Sequence, residues 1–572
     1  MTLAVDFETD WSRDYTVADM GAWAYCNDPR FNAYLVAFCG SDGWEWVGHP
    51  AQAPWAKARE YDRWLSHNVG FDAEVCRALR VEPAKVWDCT ADLMAYLQYP
   101  RDLKGACKEA FGIDVDKSVR DRTGVADLFA PSAGELNDYA LQDARLCLRL
   151  WQKFAVRWPE SEKELSRHTR LMGARGIGFD TSAAREAVAG LGVQLAETER
   201  TIPWVARGLP PTSRNELFLE CDRLGLPRPT TTAEKNPAWQ AWLDEHEARV
   251  PWVRGLNRWR KLNRTREVIG AMLVRTDRQR RLHYGLRYYG AAITGRWSGA
   301  DGLNLQNLNS KDTEGGIDLR ALLVPAPGNV FVVSDLSQIE PRCMAVISGD
   351  EDMLTFLRSG ADLYEAHARA TMGYSDPRPL KEVDKGMRAL AKARTLGLGY
   401  SCGAEKFVAV AKIMAGLDIS PEDSERIVAE FRATNPKITS LWERMQRAFR
   451  QAKGKVWVVK TEAGRAMRYF NPADGQASAV KAKPPTKFYG GKLVENLIQA
   501  TARDVMAGMV LQIEAAGYPV VLHVHDEIVA EVPIDTAAEA MEEIRRIMST
   551  PPAWMPTLPV ECEAHLMEVY GK

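Results

Sequence analysis

Cysteine is scarce and scattered in this chain of 572 residues, which has ten cysteines and no CxxC pair. That distribution argues against a structural zinc site and against a disulfide framework, so a reducing compartment is expected. No apolar run reaches the roughly 18 residues that a membrane-spanning helix requires, so no membrane association is expected. The opening residues, MTLAVDFETD, lack the basic, apolar and cleavage regions of a signal peptide.

An excess of charge of either sign is also missing, since the formal net charge is −2. The charge is nevertheless unevenly spread: the segment from Arg254 to Arg296 contains twelve Lys or Arg residues and only two acidic residues. Aromatic residues interleave with these cations and would add flat faces: Trp252, Trp259, Tyr284, Tyr288 and Tyr289. Such a segment favours contact with a nucleic-acid backbone. A solvated helix face is the alternative.

Carboxylates recur in the first 150 residues. In LAVDFETD, Asp6 and Glu8 alternate with apolar residues and therefore share one face of a predicted strand. SHNVGFDAEV adds Asp72, and the helical pattern of DYALQDARLCLRLW places Tyr139 and Asp143 on one face. Oxygen ligands of this kind suit Mg²⁺ or Mn²⁺, and two such ions can activate a water against a phosphodiester. A solvated strand face is the alternative for the first pair.

Two further acids follow apolar strands in the second half of the chain. The predicted strand in GNVFVVSDLSQIEPR ends at Asp335. VLHVHDEIVAEV, residues 521–532, predicts a hairpin with Asp526 at its turn. A buried charge is costly unless it is paired or holds a metal, so the two acids are predicted to meet around divalent cations.

A cationic helix is predicted between these acids. In GMRALAKARTLGLGYSCG, Arg388, Lys392, Leu396 and Tyr400 are spaced by four and are predicted to form one helical stripe. Two cations followed by an apolar side chain and a ring would fit a nucleoside triphosphate. An amphipathic helix with exposed cations is the alternative.

These motifs resemble two known families. DFE, HNVGFD and YALQD resemble the motifs of the DEDD 3′–5′ exonucleases, in the subgroup with a tyrosine. DLSQIEPR, RALAKARTLGLGY and HDE resemble motifs A, B and C of the family A DNA polymerases. TGRWSGADGLNLQNL, LNRWRKLNRTREVI and ENLIQATARDVM resemble the TGR…NLQN segment, a thumb helix and the helix before motif C of that family. The resemblance extends over essentially the whole chain.

The resemblance implies a set of functional residues. Two Mg²⁺ or Mn²⁺ ions are implied at each of two sites, held by Asp335 and Asp526 in one and by Asp6, Glu8, Asp72 and Asp143 in the other. Lys392 is implied to protonate pyrophosphate, and Tyr139 to orient a water. The residues implied to bind the incoming dNTP are Arg388, Lys392, Leu396, Tyr400, Gln338 and Glu340. Those implied to contact primer–template DNA are Arg296, Asn304, Gln306, Gln499, His525 and Glu527.

Several positions depart from the family's pattern. Leu336 and Pro341 stand where Tyr and Leu are common, and Leu396 replaces a Phe or Tyr that contacts the sugar. We therefore expect discrimination against dideoxynucleotides. Tyr364 stands where many relatives have a phosphate-binding His, and His367 follows one turn later. The sequence leaves open whether either side chain takes over that role.

The expected architecture is an α/β multidomain protein. It comprises an RNase H-like 3′–5′ exonuclease domain at 1–160, then a right-hand polymerase with a thumb at 161–282, a palm at 283–348 and 500–572, and helical fingers at 349–499. KAKPPTKFYGGK, residues 481–492, is predicted to be a loop. The expected function is template-directed DNA synthesis with proofreading, in a monomer located in the cytoplasm of a bacterium or a phage-infected cell.

The lean chain favours phage genome replication, in which a helicase, a primase or another replisome protein is a candidate partner. Three alternatives stay open. One is a single-subunit RNA polymerase, against which Glu340 and the exonuclease motifs argue. The second is a 3′–5′ exonuclease with a degenerate DNA-binding polymerase module, and the third is a non-catalytic replication scaffold.

Overall fold

The computed structural model describes residues 1–115, 132–308 and 314–571. Within these ranges the strands are β1 (Thr2–Thr9), β2 (Ala33–Gly40), β3 (Glu45–Gly48), β4 (Arg63–Ser66), β5 (Val86–Cys89), β6 (Ile177–Gly178), β7 (Arg281–Leu282), β8 (Leu286–Arg287), β9 (Ser298–Gly299), β10 (Asn329–Leu336), β11 (Trp457–Lys460), β12 (Ala466–Ala473), β13 (Gln476–Ser478), β14 (Thr486–Lys487), β15 (Val520–Val524), β16 (Glu527–Pro533) and β17 (Cys562–Met567).

The helices of the first half are α1 (Val17–Met20), α2 (Ala22–Asn27), α3 (Trp55–Ala58), α4 (Val69–Ala78), α5 (Thr90–Tyr96), α6 (Leu103–Phe111), α7 (Ala133–Phe154), α8 (Glu160–Arg175), α9 (Thr181–Glu199), α10 (Arg214–Leu224), α11 (Pro237–His246) and α12 (Pro251–Val274). Those of the second half are α13 (Ile339–Ser348), α14 (Glu351–Arg358), α15 (Leu363–Thr371), α16 (Leu380–Val383), α17 (Lys385–Ala393), α18 (Ala404–Ala415), α19 (Pro421–Thr434), α20 (Pro436–Gln451), α21 (Gly490–Ala515) and α22 (Ala537–Met548). A π-helical segment, Arg394–Leu398, continues α17.

The N-terminal sheet has the strand order β3-β2-β1-β4-β5. β1 pairs antiparallel with β2 and parallel with β4, so the sheet is mixed. The alternation within β1 buries Leu3, Val5 and Phe7 in one core cluster, whereas Asp6 and Glu8 lie on the opposite side of the strand. α7 packs against β1 and β2.

A largely helical region follows, in which the long helices α9 and α12 pack against each other. α12 contains the predicted basic helix, but the aromatic residues of the basic segment do not offer open faces. Trp252, Tyr288 and Tyr289 have at most 4% of their surface exposed, and Tyr284 is also buried. Trp259 packs on the edge of the core. The expectation that the rings add flat faces to the basic segment is therefore wrong for Trp252, Tyr284, Tyr288 and Tyr289, because these rings form core contacts.

The C-terminal sheet is antiparallel with the order β15-β16-β10-β17. β15 and β16 form the predicted hairpin, whose two-residue turn is His525-Asp526. β10 is central, pairing with both β16 and β17. α22 packs on β10 and β17, and the long α21 contacts β15. The acidic turn between β15 and β16 therefore lies at one end of the sheet.

The segment predicted as a loop at 481–492 is only partly irregular. β14 lies within it, and α21 begins at Gly490 despite the Gly-Gly pair. A Cβ atom at Gly490 would lie 2.4 Å from the Trp442 carbonyl oxygen, and one at Gly491 would lie 2.2 Å from the Tyr400 carbonyl oxygen. The two glycines thus permit close backbone packing at a helix start rather than flexibility.

Buried ion pairs join regions that are distant in sequence. Arg503 Nη1 of α21 donates to Glu162 Oε1 of α8 at 2.6 Å. Arg465 Nε donates to Asp504 Oδ1 at 2.6 Å, and its Nη2 donates to the Thr294 carbonyl oxygen at 2.8 Å. The domain boundary predicted at residue 160 falls at the start of α8. This helix contacts both β5 and α21. Across the described ranges, the helices are all too short or too polar to span a bilayer.

Candidate active sites

Asp335 and Asp526 lie at the same end of the C-terminal sheet. Asp335 is close to the end of β10 and faces Glu527 across the β10–β16 ladder. Leu336 N donates to the Asp526 carbonyl oxygen at 3.1 Å, so the backbones of the two acidic segments adjoin. Burial raises the pKa of Asp526 to about 6, and the negative charge of Asp335 adds to the rise. The two acids that the sequence predicts to meet thus lie on adjoining backbone segments.

The neighbours of Asp526 are held differently. Glu527 is buried, and its Oε1 accepts a hydrogen bond from the Tyr570 hydroxyl at 2.6 Å. His525 is exposed and adopts the left-handed region with φ of 55°. Burial lowers the pKa of His525, as do the positive charges of Arg296 and Arg320. Of the two adjacent carboxylates, that of Asp526 thus lies at the end of the sheet, whereas that of Glu527 is buried and hydrogen-bonded.

Glu340, at the start of α13, connects three segments. Its Oε1 accepts a hydrogen bond from Arg296 Nη2 at 2.6 Å, and its Oε2 accepts one from the Tyr400 hydroxyl at 3.3 Å. Burial raises the pKa of Tyr400 well above its usual range, and the charge of Glu340 acts in the same direction. Glu340 also contributes to the raised pKa of Asp526, which places it beside the acidic sheet end.

The predicted four-residue stripe is interrupted. Arg388 and Lys392 lie in α17, whereas Leu396 lies in the π-helical segment, and Tyr400 follows it in a turn. A π-helix bonds i to i+5 and so turns fewer degrees per residue than an α-helix, which changes the angle between successive members of the stripe. The stretch is therefore not one continuous α-helix, and Tyr400 still reaches Glu340.

Contacts connect α17 to the sheet end. The Arg388 guanidinium lies 5.1 Å from the centroid of the Tyr364 ring, and Arg388 Nε lies 3.6 Å from Asp362 Oδ2. The pKa of Tyr364 is raised by burial, while a hydrogen bond with Gln338 opposes the rise. Gln338 directly precedes α13 and lies only three residues after Asp335. Lys392 is half-buried and forms no ion pair with another residue of the described ranges.

The structure distinguishes the two candidates for the missing histidine. Tyr364 lies under Arg388, as described above. His367 is instead enclosed, with Thr371 Oγ1 at 3.2 Å from its Nε2 and the Phe431 ring centroid 5.9 Å away. Burial and the charge of Arg394 lower the pKa of His367 to about 3. Tyr364 is therefore the candidate that contacts Arg388, whereas His367 packs against Thr371 and Phe431.

The remaining predicted DNA contacts make local hydrogen bonds. Asn304 Oδ1 accepts from Gln306 N at 3.1 Å, which caps a short 3₁₀ turn. Gln306 Nε2 donates to the His523 carbonyl oxygen of β15 at 3.3 Å. Gln499 Nε2 lies 3.5 Å from Glu495 Oε1 on the same helix. Of these contacts, only the one from Gln306 reaches the C-terminal sheet, through β15.

All five residues singled out in the N-terminal sequence line one cleft of about 1330 Å³: Asp6, Glu8, Asp72, Tyr139 and Asp143. Burial raises the pKa of Asp72 well above its usual range, and the charge of Glu8 adds to it. The same cleft is also lined by cations, among them Arg101, Arg167 and Arg287. Cations in the same cleft as the carboxylates suit a ligand with phosphates.

The side chains of the two acidic sites are not arranged as complete sets of metal ligands in the described part of the chain. Among residues 1–115, 132–308 and 314–571, no three His, Cys, Asp or Glu side chains already converge to hold an ion. The donors are nevertheless carboxylate oxygens, and the mutual repulsion of Asp335 and Asp526 is what a divalent cation would relieve. Mg²⁺ is commonly held by one or two carboxylates together with substrate phosphates, so the donor set fits such an ion.

Sequence reasoning missed two contacts that shape the C-terminal site. Tyr570 holds Glu527 from 43 positions away, and Asp362 lies beside Arg388. An acidic residue before a predicted helix could have suggested Asp362 as a helix cap, a role that the structure also gives it. No local pattern indicates Tyr570, because its contact depends on how the last strand returns to the sheet.

The fold of this chain is similar to that of the "POL domain of Pol1 from M. smegmatis complex with DNA primer-template and dNTP", with a TM-score of 0.71 and 18% sequence identity. The likeness covers 99% of this chain and 95% of that chain. The fold is thus that of a polymerase domain with antiparallel sheets and many helices, and the α/β multidomain prediction is confirmed.

The family model of DNA polymerase family A matches residues 184–572. The chain therefore belongs to DNA polymerase family A, as its motifs indicate. It is 25% identical to the DNA polymerase of Bacillus phage SP02 over an alignment of 672 positions that covers 100% of both chains. It is 28% identical to the thermostable DNA polymerase I of Thermus filiformis over 75% of this chain, and it spans about half (51%) of that relative.

Proposed function

We propose that this protein performs template-directed DNA synthesis from dNTPs and shortens mispaired 3′ ends at a second site. The observation that carries the first activity is the placement of Asp335 and Asp526 at adjoining strand ends, connected through Gln338 and Tyr364 to Arg388. The observation that supports the second is the cleft shared by the N-terminal carboxylates. The family model matches residues 184–572, a range that does not include the N-terminal carboxylates. The proposed second activity is therefore supported by the geometry of the cleft.

In the proposed synthesis, the primer 3′-oxygen attacks the α-phosphorus of the dNTP and pyrophosphate leaves. Arg388 and Lys392 offer positive charge to the triphosphate, and Lys392 Nζ donates a proton to the leaving pyrophosphate. Asp335 and Asp526 would hold divalent cations, which when bound lower the pKa of the attacking hydroxyl and stabilise the leaving oxygen. Glu340, held by Arg296 and Tyr400, blocks the space of a 2′-hydroxyl.

In the proposed exonuclease, Asp6, Glu8, Asp72 and Asp143 would hold two divalent cations, and Tyr139 orients the attacking water. The cations that line the cleft, among them Arg101, Arg167 and Arg287, would attract the phosphates of the strand that enters. We further propose primer–template DNA as the partner of both sites, a monomer as the working form, and phage genome replication in the cytoplasm as the setting. The domain roles of exonuclease, thumb, palm and fingers are proposed for the ranges given above.

A primer-extension gel in the presence of Mg²⁺ tests both activities at once. Wild-type protein should lengthen the primer with dNTPs and shorten its 3′ end without them. Asp526→Ala should lose extension and keep shortening, because it removes a metal ligand at one site only. Asp6→Ala should do the reverse and serves as the matched control. Shortening by the wild type in both lanes would contradict synthesis and favour an exonuclease with a DNA-binding module.

A further inference from the structure

A cluster of buried charges joins α8 to α21 outside the two acidic sites. Arg503 of α21 donates from Nη1 and Nη2 to the two carboxylate oxygens of Glu162 in α8, at 2.6 and 2.9 Å. Arg465, which precedes β12, donates from Nε to Asp504 Oδ1 at 2.6 Å. At most 13% of each of these four side chains is exposed. Because removing charges from water is costly, the cluster has to be explained by what it holds in place.

The cluster holds the backbone of residues 294 and 295. Arg503 Nε donates to the Gly295 carbonyl oxygen at 3.0 Å. Arg465 Nη2 donates to the Thr294 carbonyl oxygen at 2.8 Å. The packing is close, since a Cβ at Gly295 would lie 2.8 Å from Arg465 Nη1. The Arg503 guanidinium therefore bonds an acid of α8 and the chain at Gly295 at once, which the single ammonium of a lysine cannot reproduce.

The backbone is also fixed on the other side of Arg296. Trp297 Nε1 donates to Thr169 Oγ1 of α8 at 2.8 Å. The Arg503 guanidinium carbon lies 5.0 Å from the centroid of the Trp297 ring. The His523 ring centroid of β15 lies 4.5 Å from the same ring. Contacts thus hold the chain immediately before and immediately after Arg296.

Arg296 itself contacts the synthesis site. Its Nη2 donates to Glu340 Oε1 at 2.6 Å, whereas the Tyr400 hydroxyl bonds the other Glu340 oxygen at a longer 3.3 Å. We propose that Arg503 is a positioning residue for the selection of dNTPs over ribonucleotides (rNTPs). It holds the backbone from which Arg296 orients Glu340 against a 2′-hydroxyl. The assignment rests on the proposed DNA synthesis and on the proposed role of Glu340.

A purely structural role for the cluster is the alternative. Burial alone would raise the pKa of Glu162, but the charge of Arg503 outweighs it and lowers the pKa. Loss of this pair would therefore reduce stability in either case. The ratio of kcat/KM for a dNTP to kcat/KM for the matching rNTP separates the two roles, because general destabilisation affects both substrates alike.

The test measures this ratio by single-nucleotide incorporation, in an Asp6→Ala background so that shortening of the 3′ end does not alter it. Glu162→Gln/Arg503→Gln removes both charges together, so that neither is left buried without its partner. It should lower the ratio about tenfold, the effect of losing one hydrogen bond between charged groups.

Arg281→Gln/Glu531→Gln is the matched control. This pair is also buried, with N and O atoms 2.6 Å apart, and its arginine donates to the backbone carbonyls of residues 175 and 176 instead. The control should lower the midpoint of urea unfolding and leave the ratio near that of the wild type. An equal loss of selectivity in the control would overturn the proposal.

A milder variant covers the case in which the double substitution does not fold. Arg503→Lys keeps the charge of the cluster but cannot bond Glu162 and Gly295 in the same way. It should lower the ratio by less than the double substitution does. A ratio equal to that of the wild type in Arg503→Lys, together with a lower urea midpoint, would establish the purely structural role.

Arg296→Gln tests the route of the effect. It should lower the ratio by itself, and adding Glu162→Gln/Arg503→Gln should cause no further decrease, because the cluster acts through Arg296. Independent, multiplying effects would overturn the proposal. Wild-type protein that incorporates neither dNTPs nor rNTPs would contradict the proposed synthesis itself, whereas a wild-type preference for dNTPs that the Arg503 variants retain would contradict only the role of Arg503.

Discussion

At the scale of single residues, function depends on which atoms a side chain offers at a fixed position. Leu396 lies in the π-helical segment that follows Arg388 and Lys392, and it is half-buried. The leucine side chain has no hydroxyl that could replace the 3′-hydroxyl that a dideoxynucleotide lacks. The wild-type enzyme is therefore expected to discriminate against dideoxynucleotides.

Leu396→Tyr should improve dideoxynucleotide use relative to dNTP use. A hydrogen bond to a charged group is worth about 1.5–3 kcal/mol, which corresponds to roughly 10- to 150-fold in the ratio of kcat/KM values. Single-nucleotide incorporation kinetics measure this ratio. Leu396→Phe supplies the ring without the hydroxyl and should leave the ratio near that of the wild type. An equal gain in both variants would show that ring size, not the hydroxyl, is responsible.

At the scale of secondary-structure elements, the start of α21 is set by close packing. Gly491→Ala should destabilise the protein, since the added Cβ would lie 2.2 Å from the Tyr400 carbonyl oxygen and 2.5 Å from Ser401 Cβ. Overpacking of this kind costs about 1–3 kcal/mol. The midpoint of urea unfolding should fall, and nucleotide incorporation should fall with it because Tyr400 is displaced.

Gly190→Ala provides the contrast within α9. A Cβ at Gly190 meets no atom within 4 Å, so the substitution should stabilise the helix by about 0.5–1 kcal/mol. A lower urea midpoint for Gly190→Ala, or an unchanged one for Gly491→Ala, would contradict the packing argument.

At the scale of the whole molecule, local periodicity was sufficient for some features and not for others. The alternation around Asp6 and the hairpin turn at Asp526 follow from strand geometry, so the sequence predicts them. The π-helical segment, the burial of Tyr288 and the bond from Tyr570 to Glu527 depend on contacts between distant segments. Such contacts leave no periodic signal, which is why sequence patterns missed them.

Glu514 shows how distant elements are held together in a pH-dependent way. It lies in α21, and its Oε2 accepts hydrogen bonds from His168 Nε2, Arg175 Nη1 and Val520 N, each at 3.0 Å. Burial alone would raise the pKa of Glu514, but the hydrogen bonds and the charge of Arg175 outweigh it and lower the pKa to about 2. An unfolded glutamate has a pKa of about 4.3. The folded state therefore binds this proton less readily than the unfolded state.

Glu514→Gln should cost about 2–3 kcal/mol of stability at neutral pH, because the carboxylate's contribution is fully present above the unfolded pKa. That contribution disappears as the pH falls from about 4.3 towards 2, so the wild-type and variant urea midpoints should converge over this window. Glu542→Gln, which breaks an exposed pair with Arg545, should change the midpoint little at any pH. A wild-type–variant difference at Glu514 that stays constant on acidification would mean that lost packing, rather than the charge, accounts for the destabilisation.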